Sequence, residues 1–294
     1  MSSSFARRSE FEIHLASHWG MCFGVRDAIA LAEQKAEGGK LTILGEIVHN
    51  EVVRKNMRAA GAKEGDLGDL KAETPDVLIT AHGASHREKL RWTNLGYRVQ
   101  DATCPLVKKA HTALARLVAE GCFPVVIGKK GHAEVEGLMG DYPGAKAVLA
   151  EDEIRKLPSR DKFGIVSQTT QPIEFVRSLI AAFERHHPNS EIIFRDTVCQ
   201  PTKSRQKALN DLAHRVDFLI VVGGPNSNNS RQLVEKARQL GCRAKRISAA
   251  EEFDPQWIKG VDSVGVTAGT STLPSCVERL IKHLEALGGE RMAS

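Results

Sequence analysis

The sequence predicts an α/β protein built from three similar modules, each with its own parallel sheet. Three observations predict it. Strand-like apolar runs alternate with helix-like amphipathic runs along the chain, the pattern of α/β folds. Three cysteines, Cys22, Cys104 and Cys199, each stand between a strand-like and a helix-like run. Two further sets of polar residues then recur at similar distances behind them.

Cys22 follows the run Phe11–Ala16 and precedes Gly24–Glu37, whose Val25, Ala28, Ile29 and Ala32 share a helical face before Gly38 and Gly39 end it. Cys104 follows Tyr97–Gln100 and precedes a helix opened by Pro105, with Leu106, Ala110, Leu114 and Leu117 on one face and Gly121 closing it. Cys199 follows Glu191–Phe194 and precedes a helix carrying Leu209, Leu212, Ala213 and Val216. The next strand-to-helix junctions carry His49, His132 and Ser227, at offsets of 27, 28 and 28 residues from the cysteines. Later junctions carry His82, Thr169 and Ser271, a further 33, 37 and 44 residues on. The stretches Val148–Ile154 and Ile247–Phe253 also resemble each other.

This repetition sets modules at 18–104, 105–198 and 199–287, with the strand at 11–17 packed against the third. Ligands of parallel α/β sheets bind beyond the carboxyl ends of the strands, so all nine junction residues are expected on binding edges. Three modules facing one another about a pseudo-threefold axis would bring those edges to one central cavity.

Composition narrows the function. Of the 294 residues, 41% are hydrophobic and 26% charged, which excludes disordered and fibrous classes. The longest apolar run, about Phe218–Val222, is far short of the roughly 18 to 20 residues that a membrane helix needs. A net charge of +5, spread along the chain, does not imply nucleic acid but favours acidic or phosphorylated partners. Met1–Glu10 lacks the apolar core of a secretory signal, so a cytoplasmic location is expected. In that reducing compartment the six cysteines are read as thiols or metal ligands, not disulfides.

Cys122, Cys242 and Cys276, at helix ends or inside a helical run, read as small core residues. Cys22, Cys104 and Cys199 instead start helices, where backbone amides stabilise a thiolate. Zinc cysteines usually come in close pairs, absent here, whereas an iron–sulfur cube accepts distant cysteines and three would leave one iron open to substrate. That chemistry suits reductive removal or elimination of an alcohol. His49, His82 and His132 with Ser227, Asn229 and Ser271 resemble an anion cradle fit for a phosphate or diphosphate, and the Asn226–Ser230 loop offers several donors within one turn. Glu134, two residues past His132, is the candidate general acid, since partial burial would raise its pKa. Glu46, Glu136 and Asp196 read as structural.

The motifs Gly-Met-Cys22-Phe-Gly, Gly-Glu-Ile-Val-His49-Asn, Ala-His82-Gly, Asp-Ala-Thr-Cys104-Pro, Gly-His132-Ala-Glu134-Val-Glu-Gly, Ser-Gln-Thr169-Thr, Asp-Thr-Val-Cys199 and Asn-Ser227-Asn-Asn229-Ser resemble the IspH/LytB family, the 4-hydroxy-3-methylbut-2-enyl diphosphate reductases. The likeness runs in order from about residue 12 to 287. It implies a three-lobed trefoil around a [4Fe-4S] cluster held by Cys22, Cys104 and Cys199, with one iron open. It implies conversion of the allylic alcohol diphosphate to isopentenyl and dimethylallyl diphosphates with two electrons and two protons, the last step of the methylerythritol phosphate route to isoprenoids. His49, His82, His132, Ser227, Asn228, Asn229 and Ser271 would then hold the substrate, Thr169 would contact it near its hydroxyl, and Glu134 would supply the proton that lets the hydroxyl leave as water. Ferredoxin or flavodoxin is the electron donor the family implies. No GxGxxG follows a strand, so NADPH is not expected to bind directly.

The chain departs from the family pattern at Asn228, Ala133, Gln200-Pro201 and Pro274, which touches loop geometry but removes no ligand. Two other readings compete. A trefoil iron–sulfur dehydratase of the quinolinate-synthase type would need anchors for a dicarboxylate in place of the three histidines and Glu134. A redox sensor on the same scaffold would need neither Glu134 nor Thr169.

Overall fold

A computed structural model describes residues 10–48, 50–225 and 227–293, with Asn228 described in its backbone only. β1 (Phe11–Leu15) runs up to the Cys22 segment and α1 (Phe23–Ala36) leads away from it. There follow β2 (Leu41–Leu44), α2 (Glu51–Ala59), β3 (Lys63–Gly65), β4 (Asp76–Ile79), α3 (His86–Asn94) and β5 (Arg98–Asp101). The second series is α4 (Pro105–Ala119), β6 (Phe123–Ile127), α5 (Ala133–Met139), β7 (Lys146–Val148), α6 (Glu151–Arg155), β8 (Lys162–Ser167), α7 (Ile173–His186) and β9 (Glu191–Phe194). The third is α8 (Gln200–Ala213), β10 (Phe218–Val222), α9 (Asn228–Gln239), β11 (Arg243–Ile247), β12 (Ser263–Ala268), α10 (Pro274–Ala286) and β13 (Gly289–Arg291).

The described strands form three parallel sheets of matching order: β3-β2-β4-β5, β7-β6-β8-β9, and β11-β10-β12-β1 with β13 beyond it. In each sheet the fourth strand, β5, β9 or β1, leads into Cys104, Cys199 or Cys22. The two inner strands β2 and β10 are buried at every residue, as strands covered by helices on both faces must be. α4 shows how a helix supplies that cover: Pro105 opens it, where a missing N–H costs nothing, and Val107, Ala110, Leu114 and Leu117 form its buried stripe.

The repeat extends to single hydrogen bonds. Gly45, Gly128 and Gly223, just past β2, β6 and β10, donate their N–H groups to Gly65, Val148 and Ile247 at the ends of β3, β7 and β11. Ala150 and Ala249 share an extended backbone with φ near −144°, and Glu153 and Glu252 each reach back to accept from the N–H of Leu149 or Ser248. This is the physical content of the similarity between Val148–Ile154 and Ile247–Phe253.

One pair of ties fixes the cysteine loops. Past β4 and β5, Ala102 N–H donates to Ile79 and Cys104 N–H to Ala81, two residues further on along both strands. Between β8 and β9 the same ties join Arg195 to Ile165, within β8, and Cys199 to Thr169, four residues further on along both.

The chain groups into two compact units, one drawn from Met1–Cys22, His49–Glu51 and Ser204–Ser294, the other from Phe23–Val48 and Val52–Lys203. The first two sheets share the second unit because their modules interlock. Asp141, after α5, accepts the N–H groups of His86 and Arg87 at the start of α3, both at 2.8 Å, and a Cβ on Gly137 would press on the backbone of Ala84 at 3.3 Å. The unit containing the third sheet has its own core, in which Ile13, Val264, Val266, Leu280 and Leu284 are buried. Among the described residues no helix is long and apolar enough to cross a membrane.

Phe163 anchors the core of the second sheet, fully buried with its ring 5.5 Å from Phe183, 5.8 Å from Phe123 and 4.7 Å from His187. Truncation would leave a cavity that flat sheet neighbours cannot fill. Phe163→Ala is therefore expected to lower the unfolding free energy by about 3–5 kcal/mol in urea titrations.

Candidate functional site

Every described junction residue lies past the carboxyl end of a strand. In the larger unit, His82 follows β4, Cys104 follows β5, His132 follows β6, Thr169 follows β8 and Cys199 follows β9. In the other unit, Cys22 follows β1, Ser227 follows β10 and Ser271 follows β12. His49 lies outside the described residues, as does the side chain of Asn228.

Glu134 is the centre of the first group. It is 2% exposed, in the first turn of α5, and no cation faces it among its recorded partners. Thr169 holds it from across the sheet, the backbone N–H donating to Oε1 at 2.6 Å and Oγ1 to Oε2 at 3.1 Å. Burial disfavours the charged carboxylate, and the two Thr169 hydrogen bonds only partly offset this, so the pKa is pushed up from 4.5 to about 7. A carboxyl that holds its proton near neutrality is matched to acid catalysis.

His132 caps the same helix. Its Nδ1 accepts the N–H of Glu134 at 3.2 Å, so the neutral ring carries its proton on Nε2. The ring of His82 stands edge-on to it, centroids 5.4 Å apart and planes at 86°. Thr80 Oγ1 lies 3.3 Å from His82 Nδ1. Two imidazoles and a buried carboxyl are thus brought together from two sheets.

Two buried amides absent from the sequence reading stiffen this group. Gln168 Oε1 accepts from the N–H of Lys129 at 3.2 Å and from Gln171 Nε2 at 3.0 Å, which pins the loop before His132 to the end of β8. Their only sequence signal is a polar run directly after the apolar strand.

The thiols differ by place. Cys122 and Cys242 are buried and burial pushes both thiols up, as expected of core residues. Cys22, Cys104 and Cys199 are half-buried, and each immediately precedes a helix of 14 or 15 residues. Cys199 Sγ lies 3.1 Å from Thr202 Oγ1. At Cys104 the close neighbour is Gly24, where a Cβ would collide with the sulfur, so only glycine leaves space there. Among the described residues no three His, Cys, Asp or Glu side chains are gathered for a single metal ion. Soft sulfur donors at helix starts fit an iron–sulfur cluster by donor chemistry.

In the other unit the hydroxyl groups are tied to one another. Ser227 is the N-cap of α9, and its Oγ accepts from the N–H of Ser230 at 3.2 Å and from Ser230 Oγ at 2.9 Å. The segment expected as a loop therefore enters the helix at Asn228. Ser230 is fully buried between Gly223 and Gly269, where a Cβ on either would strike its hydroxyl, so these glycines are required by close approach. Asn229 Oδ1 accepts the N–H of Thr270 at 3.1 Å, which fixes the orientation of its side-chain amide. Asn50 Nδ2 donates to the carbonyl of Ser271 at 2.9 Å. The departures from the family pattern also find places: Ala133 starts α5, Gln200 and Pro201 start α8, and Pro274 starts α10, positions that tolerate them.

The family model described as LytB protein matches residues 13–285. The chain belongs to the LytB family. A relative from Neisseria meningitidis serogroup C (strain 053442), named 4-hydroxy-3-methylbut-2-enyl diphosphate reductase, is 39% identical over 287 residues, covering 95% of this chain and 88% of its own. One of the same name from Marinobacter nauticus is 38% identical, covering 95% and 91%. The solved E-1-hydroxy-2-methyl-but-2-enyl-4-diphosphate reductase from Plasmodium falciparum superposes with a TM-score of 0.87 at 25% identity, covering 98% of this chain and 92% of that one. A second solved structure, titled as (E)-4-hydroxy-3-methyl-but-2-enyl diphosphate reductase, the terminal enzyme of the non-mevalonate pathway, gives 0.67 at 34% identity, covering 94% and 99%. Membership in the LytB family agrees with the motif resemblance.

The raised pKa of Glu134 has a consequence for stability. Folding binds its proton more tightly than the unfolded chain does, so the stability it contributes is complete below about pH 4.5 and is lost as pH rises to about 7, about 3 kcal/mol in all. Glu134→Gln removes that titration. In urea titrations of the apo-protein the variant should gain on the wild type between about pH 4.5 and 7 by up to that amount, whereas parallel pH profiles would show that burial does not hold the proton.

Proposed function

We propose that the chain catalyses the reductive dehydroxylation of (E)-4-hydroxy-3-methylbut-2-enyl diphosphate to isopentenyl and dimethylallyl diphosphates. The observation that carries this reading is Glu134: a buried carboxyl that stays protonated near neutral pH, oriented by Thr169 and flanked by His132 and His82. Family membership supplies the substrate class.

In this reading Cys22, Cys104 and Cys199 are the thiolate ligands of one [4Fe-4S] cluster. When bound, such a cluster would relay the two electrons one at a time from the donor and offer a Lewis-acidic iron. His49, His82, His132, Ser227, Asn228, Asn229 and Ser271 hold the substrate, mostly its diphosphate. His132 and His82, their rings edge-on, stand together at the phosphate-binding side of this group. Both Thr169 contacts are donated to the Glu134 carboxyl, so its own O–H remains to give a proton to the departing hydroxyl, which leaves as water. Thr169 thereby aims the acid and lies beside the same end of the substrate. The second proton goes to carbon, at either end of the allylic system, which accounts for two products. Ferredoxin or flavodoxin delivers the electrons in the cytoplasm.

Glu134→Gln is expected to keep cluster and bound diphosphate while turnover falls by about 10²- to 10⁴-fold, the usual contribution of a general acid. Near-normal turnover would remove the acid role. Serine in place of Cys22, Cys104 or Cys199 should lose iron, whereas Cys122→Ala, Cys242→Ala and Cys276→Ser should retain it. Iron and sulfide analysis of anaerobically purified protein, with electron paramagnetic resonance before and after adding the hydroxylated diphosphate, reads both.

A further inference from the structure

The loops before Cys104 and Cys199 share a feature that neither the substrate nor the thiol chemistry explains. Three residues before each cysteine stands an aspartate, and four residues after it a lysine. Asp101 Oδ1 accepts the N–H of Thr103 at 3.0 Å and the Thr103 hydroxyl, while its Oδ2 pairs with Lys108 at 3.2 Å and Lys89 at 3.0 Å. Asp196 Oδ1 accepts the N–H of Val198 at 3.1 Å and its Oδ2 pairs with Lys203 at 2.6 Å. Each carboxylate thus closes a turn onto the residue just before the cysteine with one oxygen. With the other it holds the first turn of the helix that the cysteine opens.

Cys22 has Trp19 and Arg26 at the corresponding positions and a different device. Arg205, 6% exposed on α8, donates Nε and Nη2 to the carbonyl of Gly20 at 3.1 and 2.5 Å, and Gly20, at φ +73°, is a residue whose backbone few side chains would allow. A charged side chain therefore fixes the approach to each of the three thiols. The lysine pairs are partly exposed and weak on their own, so the carboxylate-to-N–H turn carries most of the fixation.

We propose that Asp101–Lys108 and Asp196–Lys203 are two copies of one positioning clamp, which aims Cys104 and Cys199 at the cluster and slows its loss. The inference rests on the assignment of those cysteines as ligands. Neither aspartate touches substrate or metal; each acts through the loop that bears the thiol.

Asp101→Ala and Asp196→Ala, reconstituted with iron and sulfide without oxygen, are expected to release iron to a chelator about 10- to 100-fold faster than the wild type, the range for residues that orient metal ligands. Their reduced clusters should give a broadened or shifted resonance spectrum. Asp101→Asn and Asp196→Asn, which keep the turn acceptor and lose the lysine pair, should fall between the two and restore most of the spectrum. Asp217→Ala serves as a control, because Asp217 likewise accepts backbone N–H groups, from Asp262 and Ser263, but ties the starts of β10 and β12 together, at the opposite ends of these strands from the edge that carries the thiols. It should release iron at the wild-type rate. Wild-type release and spectra from both alanine variants would overturn the clamp, as would equally fast release from Asp217→Ala. A wild type that takes up no iron and sulfide would instead overturn the ligand assignment itself, and the clamp with it.

Discussion

In a parallel sheet every strand ends at the same edge, and this constraint decides where each reactive residue of the protein can be. The order β3-β2-β4-β5, repeated in β7-β6-β8-β9 and in β11-β10-β12-β1, puts a cysteine past the fourth strand and polar residues past the two inner ones. Helices starting at those edges add their unpaired amide dipoles to whatever binds there. Inner strands such as β2 and β10, apolar and covered on both faces, contribute rigidity and no chemistry.

Rigidity matters most at Glu134. An acid without a cationic neighbour keeps its proton only while water stays out, and water stays out only while the surrounding groups are satisfied by one another. Thr169 satisfies the carboxyl, His132 satisfies the helix start behind it, and Gln168 with Gln171 satisfies the adjoining loop. The hydroxyl network of Ser227 and Ser230 does the same work for the start of α9. Polar groups at these strand edges are thus tied to one another in small sets.

Much of this was legible in the sequence because it is local or periodic. A cysteine between an apolar run and an amphipathic one can be placed at a strand-to-helix junction without knowing the fold, and Pro105 or Gly121 marks where its helix begins and stops. Glu134 could be singled out because it follows His132 by two residues at such a junction. What the sequence hid was tertiary. The partner that orients Glu134 is 35 residues away, and the arginine that fixes Gly20 is 185 residues away. The grouping of the first two modules into one unit was hidden too, since it depends on Asp141 reaching the start of α3. Three similar modules in sequence need not be three equal bodies in space.

The matched spacing of the backbone ties, from Ile79 and Ala102 to Ala81 and Cys104 and from Ile165 and Arg195 to Thr169 and Cys199, bears on how such a chain can change over generations. Cys104 meets Ala81 after two residues on each strand, and Cys199 meets Thr169 after four on each. A lone insertion on either side would leave one buried amide or carbonyl without its mate and swing the thiol away from its station. The longer edge of the second module is therefore a two-sided innovation: the two extensions make sense only as a pair, and a lineage carrying one is under pressure to acquire the other or to revert.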